Sequence, residues 1–392
     1  MKINLAILAG GLGTRLKKIT KKTPKPLINI NDREFIKYIL IYIIVNNINK
    51  IYILVGYKKY LFLKKLNKKI GNIEIKCIPE SKPLGTGGAL SSLKKIGTDF
   101  LIFNGDSISV FNIKKFLKSK KYNKILLVKN RIYKSNNQLN NLSINQNKVI
   151  IKDKSNFMNG GVYYLKKDII QKIPLKKYSL ENEILFKLIE KNKLRGMKNY
   201  NQFIDIGIKK NLRKAKSILN DLIPIKAVLL DRDGTINKNY GYVHKFENFK
   251  WLKGSIDAIR LLNYLKIKVI IITNQSGIGR SFYKKQDFEI LHEKINIYLK
   301  KYGSKIDDVY FSDVNPDKEK LLNKLYFDRK PQPGMILKCM KKHKLTKKNC
   351  FFIGDSYTDK LAAKNAGITF YKKENKSLLI QIRKNIKNFL NI

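Results

Sequence analysis

Short apolar runs rich in β-branched residues alternate with amphipathic segments of helical periodicity through most of the chain. The clearest runs are Asn4–Leu8, Lys50–Val55, Phe100–Phe103, Ala227–Leu230, Lys268–Ile272 and Cys350–Ile353. Alternation of this kind is typical of a parallel sheet covered by helices. Four of these six runs are followed directly by Gly, Asp or Asn. Because such sheets bind ligands at the carboxyl ends of their strands, the pattern predicts an α/β protein with functional strand ends.

The chain of 392 residues is long enough for two domains with separate cores. A helix predicted over Lys209–Leu222 ends before Pro224, and the next apolar run begins at once. We therefore predict a first domain over residues 1–222 and a second over residues 223–392. Residues 130–158, which are rich in Asn, Lys and Ser, interrupt the alternation and predict an irregular hairpin region.

Basic residues greatly outnumber acidic ones, with 82 Lys and Arg against 29 Asp and Glu and a formal charge of +53. This balance raises the hypothesis of binding to nucleic acid or to an anionic membrane. The lysines are nevertheless scattered beside Asn and Ile, without a basic tail or an arginine block. These three residue types share codons rich in A and T, so a genome of low G+C content explains the bias. We predict no nucleic-acid and no membrane partner, and expect the surplus charge to attract anionic substrates.

Three cysteines, Cys77, Cys339 and Cys350, lie far apart and lack metal-binding spacing, which fits a reducing compartment. The longest apolar stretch, Phe35–Val45, contains Lys37 and is shorter than the ~20 residues that span a bilayer. It therefore predicts a core helix. The apolar amino terminus leads into a glycine-rich turn and not into a small-residue cleavage site. The predicted location is cytoplasmic, and the oligomeric state stays open.

A glycine-rich turn follows the first predicted strand, with the sequence Gly10-Gly11-Leu12-Gly13-Thr14-Arg15. Backbone N–H groups without an adjacent Cβ can approach the phosphates of a nucleotide closely, so Gly10, Gly11, Gly13 and Thr14 are predicted nucleotide-binding residues. Arg15 adds a fixed positive charge. Lys25, between two prolines in Thr23–Leu27, is stiffly held and can be directed at a phosphate. A turn that needs glycine for conformation alone is the competing interpretation.

Further motifs follow this turn in a fixed order. They are ESKPLGTGGA at 80–89, FNGD at 103–106, MNGGVY at 158–163, SLE at 179–181 and FIDIG at 203–207. With them, residues 1 to about 220 resemble the sugar-1-phosphate nucleotidyltransferases, most of all the heptose- and mannose-1-phosphate guanylyltransferases. The resemblance implies a Rossmann-like domain with a mixed sheet of the GT-A type. It also implies that a sugar phosphate oxygen attacks the α-phosphorus of a nucleoside triphosphate.

The same resemblance implies roles for individual residues. Asp106 and Asp205 are expected to bind Mg²⁺, and Arg15 and Lys25 to stabilise the leaving pyrophosphate and the transferred group. Gly85, Thr86 and Gly87 are expected to contact the base and the ribose of the nucleotide. Asn159 and Glu181 are expected to bind sugar hydroxyls, and Lys154 is expected to contact the phosphate of the sugar. Two alternatives stay open: Glu181 as a carboxylate that favours a helix amino terminus, and Asp205 as a turn former.

The second half carries two carboxylates two residues apart, in Asp231-Arg-Asp-Gly-Thr235, after the apolar run at 227–230. Their repulsion at the end of a buried strand is costly without a cation, and Mg²⁺ would relieve it. Asp231 is the predicted nucleophile that forms an aspartyl phosphate, and Asp233 the acid and base. Both are also predicted to bind the metal.

Three more motifs complete the second half: VIIITNQSGIGR at 269–280, RKPQPGM at 329–335 and FIGDSYTD at 352–359. Together they resemble the haloacid dehalogenase superfamily, which implies a second Rossmann-like domain. The implied roles are phosphate contact for Thr273 and Asn274, charge neutralisation for Lys330, and magnesium binding for Asp355. Asp359 is expected to support these groups or to orient Lys330.

Within that superfamily the motifs look like those of heptose bisphosphate phosphatases and the related histidinol phosphatases. Arg280 and Arg329 would then hold the distal groups of the substrate. The zinc-binding loop of that family is altered, because Ser312, Val314, Tyr326 and Asp328 occupy the places of its Cys and His ligands. We therefore predict no zinc, with the loop held by ordinary packing.

The sequence thus predicts an enzyme with two reactions on nucleoside triphosphates and sugar phosphates. The two resemblances imply that one step removes the 7-phosphate of D-glycero-D-manno-heptose 1,7-bisphosphate, and that the other transfers GMP from GTP to the resulting 1-phosphate. The alternative enzyme is a nucleotidyltransferase that uses mannose or glucose 1-phosphate with dTTP or UTP. Its phosphatase half would then have another specificity, such as that of a histidinol phosphatase. A nucleic-acid-binding or scaffold protein with decayed sites is the alternative of another class, which the intact acidic motifs disfavour.

Overall fold

The computed structural model describes residues 3–129, 139, 141–152, 155–207, 209–317 and 324–392. Its backbone contacts divide the chain into two compact units, Met1–Ile223 with the terminal Ile392, and Pro224–Asn391. The division falls directly after the helix at Lys209–Leu222, whose predicted bounds are confirmed. Each unit has its own sheet and its own buried apolar cluster.

The first unit is built on a ten-stranded mixed sheet in the order β10-β11-β13-β9-β12-β7-β1-β4-β6-β5. The strands in chain order are β1 Asn4–Leu8, β2 Asn29–Ile30, β3 Arg33–Glu34, β4 Lys50–Val55, β5 Lys68–Ile70, β6 Ile73–Pro79, β7 Phe100–Asn104, β8 Ser107–Ser109, β9 Asn123–Lys129, β10 Leu142–Asn145, β11 Lys148–Ile151, β12 Phe157–Leu165, β13 Leu194–Asn199 and β14 Phe203–Asp205. Strands β7, β1, β4 and β6 are neighbours and run parallel. Their carboxyl ends therefore meet at one edge of the sheet.

Helices cover this sheet. They are α1 Lys17–Thr20, α2 Phe35–Val45, α3 Lys59–Leu66, α4 Gly85–Gly88, α5 Ile113–Phe116, α6 Lys167–Gln171, α7 Phe186–Glu190 and α8 Lys209–Leu222. A wider π-type turn, Leu180–Leu185, precedes α7. Every residue of α2 is buried, which confirms the predicted core helix and explains why its apolar positions show no helical stripe.

The interrupted region contains more regular structure than the sequence predicted. Strands β10 and β11 pair as an antiparallel hairpin, with Leu142 opposite Ile151. The two residues between them, Gln146 and Asn147, both have positive φ, which is the geometry that a two-residue hairpin turn requires. Glycine more often supplies that geometry, so the sequence carried a weak turn signal.

The second unit contains a five-stranded parallel sheet in the order β17-β16-β15-β18-β19. Its strands are β15 Ala227–Leu230, β16 Lys268–Asn274, β17 Asp308–Ser312, β18 Cys350–Gly354 and β19 Thr369–Lys372. Its helices are α9 Ser255–Tyr264, α10 Ser276–Gly279, α11 Lys285–Lys300, α12 Gly334–Lys342, α13 Tyr357–Asn365 and α14 Leu378–Phe389. The predicted α/β class, a mixed sheet followed by a parallel one, is confirmed.

Burial on both faces explains why the central strands read as continuous apolar runs. All four residues of β15 are buried, as are the middle residues of β1. Among the described residues, no helix is both long and apolar enough to cross a membrane.

Candidate active sites

The carboxyl edge of the first sheet gathers four predicted site residues. Lys25 donates from Nζ to Oδ2 of Asp106 at 3.1 Å, and both side chains are largely buried. Asp205 ends β14, which pairs with the strand that follows Asp106. A Cβ on Gly207 would lie 3.4 Å from both Arg15 and Lys25 and 2.8 Å from Asp205, so three functional groups surround this glycine. Two acidic and two basic side chains thus share one small site.

Electrostatics at this edge favour a cation. Burial raises the pKa of Asp205, and repulsion from Asp106 adds to the rise. The Gly207 N–H, which donates to Asp205 Oδ1 at 2.6 Å, and the charges of Lys25 and Arg15 oppose it. Ionisation of Asp205 beside Asp106 is therefore costly unless further positive charge arrives.

The glycine-rich turn lies beside these side chains. Gly13 has a φ of 70°, which disfavours other residues there, and a Cβ would meet the stem of Lys25 at 3.2 Å. Nothing lies within 4 Å of a Cβ placed on Gly11. Thr14 begins a short turn of 3₁₀ helix and is exposed. The turn therefore presents open backbone next to the Lys25–Asp106 pair, as a phosphate-binding loop requires.

The remaining predicted residues of the first half form a second group. Thr86 donates from Oγ1 to Glu181 Oε2 at 2.6 Å, although 95 residues separate them. The backbone N–H of Gly87 donates to the carbonyl oxygen of Tyr178 at 2.9 Å, and a Cβ on Gly85 would lie 2.8 Å from the same oxygen. The predicted base-contacting and sugar-contacting segments are thus packed directly together.

Asn159 lies on β12 and is held by its neighbours. Its carboxamide donates to the Tyr163 hydroxyl at 2.8 Å and accepts from the Gly161 N–H at 2.9 Å. Burial raises the pKa of Tyr163, and the charge of Glu181 contributes to the rise, so Glu181 lies near this group. Lys154 falls outside the described residues, and its predicted contact with the sugar phosphate stays a prediction.

In the second unit a buried lysine joins two carboxylates. Lys330 Nζ lies 2.6 Å from Asp231 Oδ1 and 2.6 Å from Asp359 Oδ1, and it also donates to the Ile272 carbonyl at 3.0 Å. Burial raises the pKa of Asp231 to about 7, although Lys330 opposes the rise. Burial alone would lower the pKa of Lys330, but the two carboxylates raise it, so the lysine stays charged.

Asp355 completes an acidic cluster at the end of β18. One carboxylate oxygen from each of Asp231, Asp355 and Asp359 lies within 4.8 Å of the others. Asp231 and Asp355, both predicted metal ligands, are therefore brought together by two adjacent parallel strands. Asp359 is held in the first turn of α13, where it accepts from the Ser356 N–H at 3.0 Å.

Asp233 has its carboxylate oxygens engaged by polar neighbours. Arg232 and Gln275 donate to Oδ2 at 3.0 and 3.1 Å, and Asn237 donates to Oδ1 at 2.9 Å. Arg232 is fully buried and also donates to the Val243 carbonyl at 2.6 Å. The carboxylate is thus oriented from three sides, which suits a group that transfers protons, and its role as a metal ligand stays a prediction.

The predicted phosphate-contacting residues close β16. Thr273 accepts from Gln275 at 2.9 Å. Asn274 accepts from the backbone N–H of Lys330 and donates to its carbonyl, both at 3.0 Å. The side chain of Asn274 therefore holds the backbone of Lys330 in place, a contact that the motif did not reveal.

Arg280 and Arg329 lie close enough for their charges to interact. Burial lowers the pKa of Arg329, and Arg280 adds to that effect. Arg280 pairs with Asp317 at 2.5 Å, and Arg329 donates to the Val314 carbonyl at 3.2 Å. The two guanidinium groups thus influence each other electrostatically, and Asp317 neutralises part of the charge of Arg280.

Comparison with known families assigns both units. The family model for nucleotidyl transferases matches residues 5–221, and that for haloacid dehalogenase-like hydrolases matches residues 177–367. The D-glycero-beta-D-manno-heptose-1,7-bisphosphate 7-phosphatase of Helicobacter pylori (strain ATCC 700392 / 26695) is 39% identical over 157 residues, which are 40% of this chain and 84% of that protein. The chain belongs to both families. It is an enzyme with a nucleotidyltransferase unit followed by a phosphatase unit.

Other similar proteins include a second phosphatase and two solved structures. The phosphatase of the same name from Pasteurella multocida is 35% identical over 143 residues, which are 36% of this chain and 78% of that protein. The solved structure of HddC from Yersinia pseudotuberculosis complexed with GMP-PN is 29% identical, covers 55% of this chain and 99% of that one, and has a TM-score of 0.47. The D,D-heptose 1.7-bisphosphate phosphatase of B. bronchiseptica complexed with magnesium and phosphate is 28% identical over 37% of this chain and 79% of its own, with a TM-score of 0.35.

The structure describes all four positions at which the zinc-binding ligands of the related family are replaced. Packing and one ion pair hold these four residues. Ser312 and Val314 are buried, and Tyr326 is half-buried. Asp328 forms an ion pair with Lys338. The expectation that this unit needs no zinc stays a prediction.

Sequence reasoning missed the residues that orient Asp233. Arg232 and Asn237 lie in the same loop, but Gln275 comes from the end of another strand 42 residues away. Tyr283 extends the set by donating to Gln275 Oε1 at 2.8 Å. The only available signal was the position of Gln275 after a strand, which does not identify its partner.

Gly234 is expected to be essential for the phosphatase unit. Its φ is 82°, and a Cβ there would overlap Oδ2 of Asp355. We expect Gly234→Ala to displace this carboxylate and to lower phosphate release about 100-fold, because misplacement by about 1 Å has that effect. The measurement is the phosphatase rate with Mg²⁺.

Gly367→Ala is the matched control. Gly367 also has a positive φ of 70°, but nothing lies within 4 Å of its Cβ position. Both variants carry similar backbone strain, of about 1–2 kcal/mol, and only Gly234→Ala adds the overlap. Equal loss of activity in the two variants would contradict a specific role for Gly234.

Proposed function

We propose that the phosphatase unit removes the 7-phosphate from D-glycero-D-manno-heptose 1,7-bisphosphate. The observation that carries this proposal is the 39% identity to a heptose bisphosphate phosphatase over 157 residues. The pair formed by Arg280 and Arg329 supports it, because a bisphosphate needs positive charge at its distal phosphate as well as at the reacting one.

Asp231 is the proposed nucleophile of this step. One oxygen of its carboxylate attacks phosphorus, while Lys330, at 2.6 Å, neutralises the crowded negative charge. Asp233 donates a proton to the departing sugar oxygen and then accepts one from the water that hydrolyses the aspartyl phosphate. Its orientation by Arg232, Asn237 and Gln275 keeps the carboxylate in place for both transfers.

We propose Mg²⁺ as the cofactor of both units. In the phosphatase unit, Asp231 and Asp355 fit it, since their oxygens converge and hard carboxylate ligands suit this ion. In the nucleotidyltransferase unit, Asp106 and Asp205 fit it, since burial and mutual repulsion raise the pKa of Asp205 in the absence of more positive charge. The bound ion would neutralise phosphate oxygens during each reaction.

The nucleotidyltransferase unit is proposed to transfer GMP from GTP to the heptose 1-phosphate made by the phosphatase. The sugar phosphate oxygen attacks the α-phosphorus and pyrophosphate leaves. Arg15 and Lys25 neutralise the transferred group and the pyrophosphate, and the open backbone at Gly11 receives phosphate oxygens. Asn159 and Glu181 hold the sugar. The product is a GDP-heptose for the synthesis of a surface glycan, and the location proposed for both steps is the cytoplasm.

Purified enzyme with Mg²⁺ tests both steps. We expect phosphate release from heptose 1,7-bisphosphate, followed by pyrophosphate release when GTP is added. UTP, dTTP and histidinol phosphate serve as competing substrates and should react at least about 10-fold more slowly, the discrimination expected from one missing polar contact. Faster reaction with mannose 1-phosphate and dTTP, or with histidinol phosphate, would contradict the proposal.

A further inference from the structure

Gln275 is buried directly after β16, and each polar atom of its side chain has a partner. Its Nε2 donates to Oδ2 of Asp233 at 3.1 Å and to Oγ1 of Thr273 at 2.9 Å. Its Oε1 accepts from the hydroxyl of Tyr283 at 2.8 Å. The Thr273 hydroxyl can donate as well as accept, so it fits either orientation of the amide. Asp233 and Tyr283 therefore determine which end of the amide faces the reacting carboxylate.

Close packing fixes the ring of Tyr283. The imidazole of His244 stacks on it, with the ring centroids 4.6 Å apart and the ring planes 9° apart. A Cβ on Gly277 would overlap the tyrosine ring, so glycine at this position leaves room for it. Burial raises the pKa of Tyr283 to about 12, so the hydroxyl keeps its proton at neutral pH. Tyr283 is thus a rigidly placed donor for Gln275.

The two oxygens of Asp233 have unequal partners. Among the described residues, Oδ2 accepts from Gln275 at 3.1 Å and from Nε and Nη2 of Arg232 at 3.0 and 2.8 Å. Oδ1 accepts from Asn237 at 2.9 Å. A carboxylate has about four acceptor sites on its two oxygens, so an oxygen that accepts three hydrogen bonds has no capacity left for a proton. The proton that Asp233 transfers therefore belongs on Oδ1.

We propose that Tyr283 is a positioning residue of the phosphatase reaction, which holds the amide of Gln275 so that Oδ1 of Asp233 transfers the proton. The inference rests on the phosphatase reaction proposed above. In its first step the bond between phosphorus and the sugar oxygen breaks, and the sugar oxygen keeps the electron pair. The proton moves from Oδ1 to this oxygen, and the carboxylate of Asp233 takes up the negative charge.

The hydroxyl of Tyr283 matters because an amide can also adopt the reversed orientation. With its oxygen toward Asp233, the amide of Gln275 would accept a hydrogen bond from the protonated carboxyl group. That bond would draw the proton to Oδ2, away from the sugar oxygen. In the observed orientation Tyr283 satisfies the buried amide oxygen. Without the hydroxyl this oxygen is left unpaired, and the balance shifts toward the reversed amide.

The choice of leaving group tests this role. A sugar alkoxide needs a proton to depart, whereas p-nitrophenolate is stable enough to depart without one. For Tyr283→Phe we expect kcat/KM with heptose 1,7-bisphosphate to fall about 3- to 10-fold, the effect of one lost hydrogen bond. With p-nitrophenyl phosphate kcat/KM should change by less than about 2-fold, because no proton is required. The second measurement also reports that the site is intact.

A double-mutant cycle shows whether Tyr283 acts through Gln275. Gln275→Met has a similar shape but lacks the donor and the acceptor, so kcat/KM with the bisphosphate should fall about 10- to 100-fold. Adding Tyr283→Phe to Gln275→Met should change kcat/KM by less than about 2-fold further. Tyr302→Phe is the control, since it removes an exposed hydroxyl that lies 3.3 Å from that of Tyr298, and it should leave kcat/KM unchanged for both substrates.

Two results would overturn the inference. Equal losses with both substrates in Tyr283→Phe would show that Tyr283 is only structural. The same loss from Tyr283→Phe with and without Gln275→Met would show that Tyr283 does not act through Gln275. If the wild type hydrolyses histidinol phosphate but not the bisphosphate, the heptose specificity is wrong. The same comparison with histidinol phosphate, which is also an alkyl phosphate, then decides the inference.

Discussion

Replacing Asp231 by asparagine is expected to abolish phosphate release and to leave pyrophosphate release unchanged. Asparagine has almost the same shape but cannot form the phosphoenzyme, so kcat of the phosphatase should fall at least about 10⁴-fold. The residual Lys330–Asp359 pair at 2.6 Å keeps the buried lysine partnered. The measurement is release of phosphate and of pyrophosphate by the same preparation.

The stability of this variant is a separate expectation. Burial raises the pKa of Asp231 to about 7, which lies above the ordinary value of an aspartate. For an acid whose pKa is raised in the folded state, the free energy of unfolding falls as the pH rises from the ordinary aspartate value of about 3.9 to about 7, and does not fall further above that. A neutral asparagine avoids this cost, so the Tm near pH 7 should be unchanged or higher.

Glu289→Gln on α11 is the control for the Asp231 variant. Glu289 is exposed, and its Oε1 lies 3.9 Å from Nζ of Lys285. A surface ion pair of this kind contributes little to the stability of a protein. It should keep both activities. A phosphatase rate in Asp231→Asn within 10-fold of the wild type would exclude Asp231 as the nucleophile, since no other contribution replaces covalent attack.

The second large effect is expected from Asp106→Asn. This change removes one of two carboxylates proposed to hold Mg²⁺ and also leaves Lys25 without its partner at 3.1 Å. Pyrophosphate release should fall about 10²- to 10³-fold, the usual cost of losing one electrostatic contact in the transition state. Phosphate release from the bisphosphate should continue at the rate of the wild type.

Asp168→Asn provides the comparison for this variant. Asp168 is exposed in the first turn of α6, so its loss should cost no more than about 1 kcal/mol through the helix dipole. If Asp106→Asn retained full transfer activity at limiting Mg²⁺, the assignment of Asp106 as a ligand would be wrong. Loss of both activities in Asp106→Asn would instead indicate that the two units do not act independently.

The sequence predicted the central strands well because their signal is local. The runs at Asn4–Leu8, Lys50–Val55 and Ala227–Leu230 are strands with those bounds. Their burial on both faces makes each one a continuous apolar run. For residues 130–158 the sequence predicted only an irregular hairpin region, because the turn between β10 and β11 uses Gln146 and Asn147 and the hairpin joins the sheet through β13, far along the chain.

The site was predictable as a set of residues but not as a set of contacts. Motif order identified Thr86 and Glu181, yet nothing in the sequence shows that their side chains meet at 2.6 Å across 95 positions. Asp233 was recognised from its spacing to Asp231, whereas its support by Gln275 depends on how two strands align. Such contacts follow from sheet register, which a single sequence does not determine.

The two hydrogen bonds between Asn274 and the backbone of Lys330 limit which residues can replace Asn274 during evolution. Its carboxamide gives and receives one hydrogen bond with the backbone of Lys330, both at 3.0 Å. An aspartate would lack the donor, and a serine is too short to reach both partners. Relatives that keep the lysine are therefore expected to keep this asparagine even if it never touches substrate, and lineages that lose one should tolerate loss of the other.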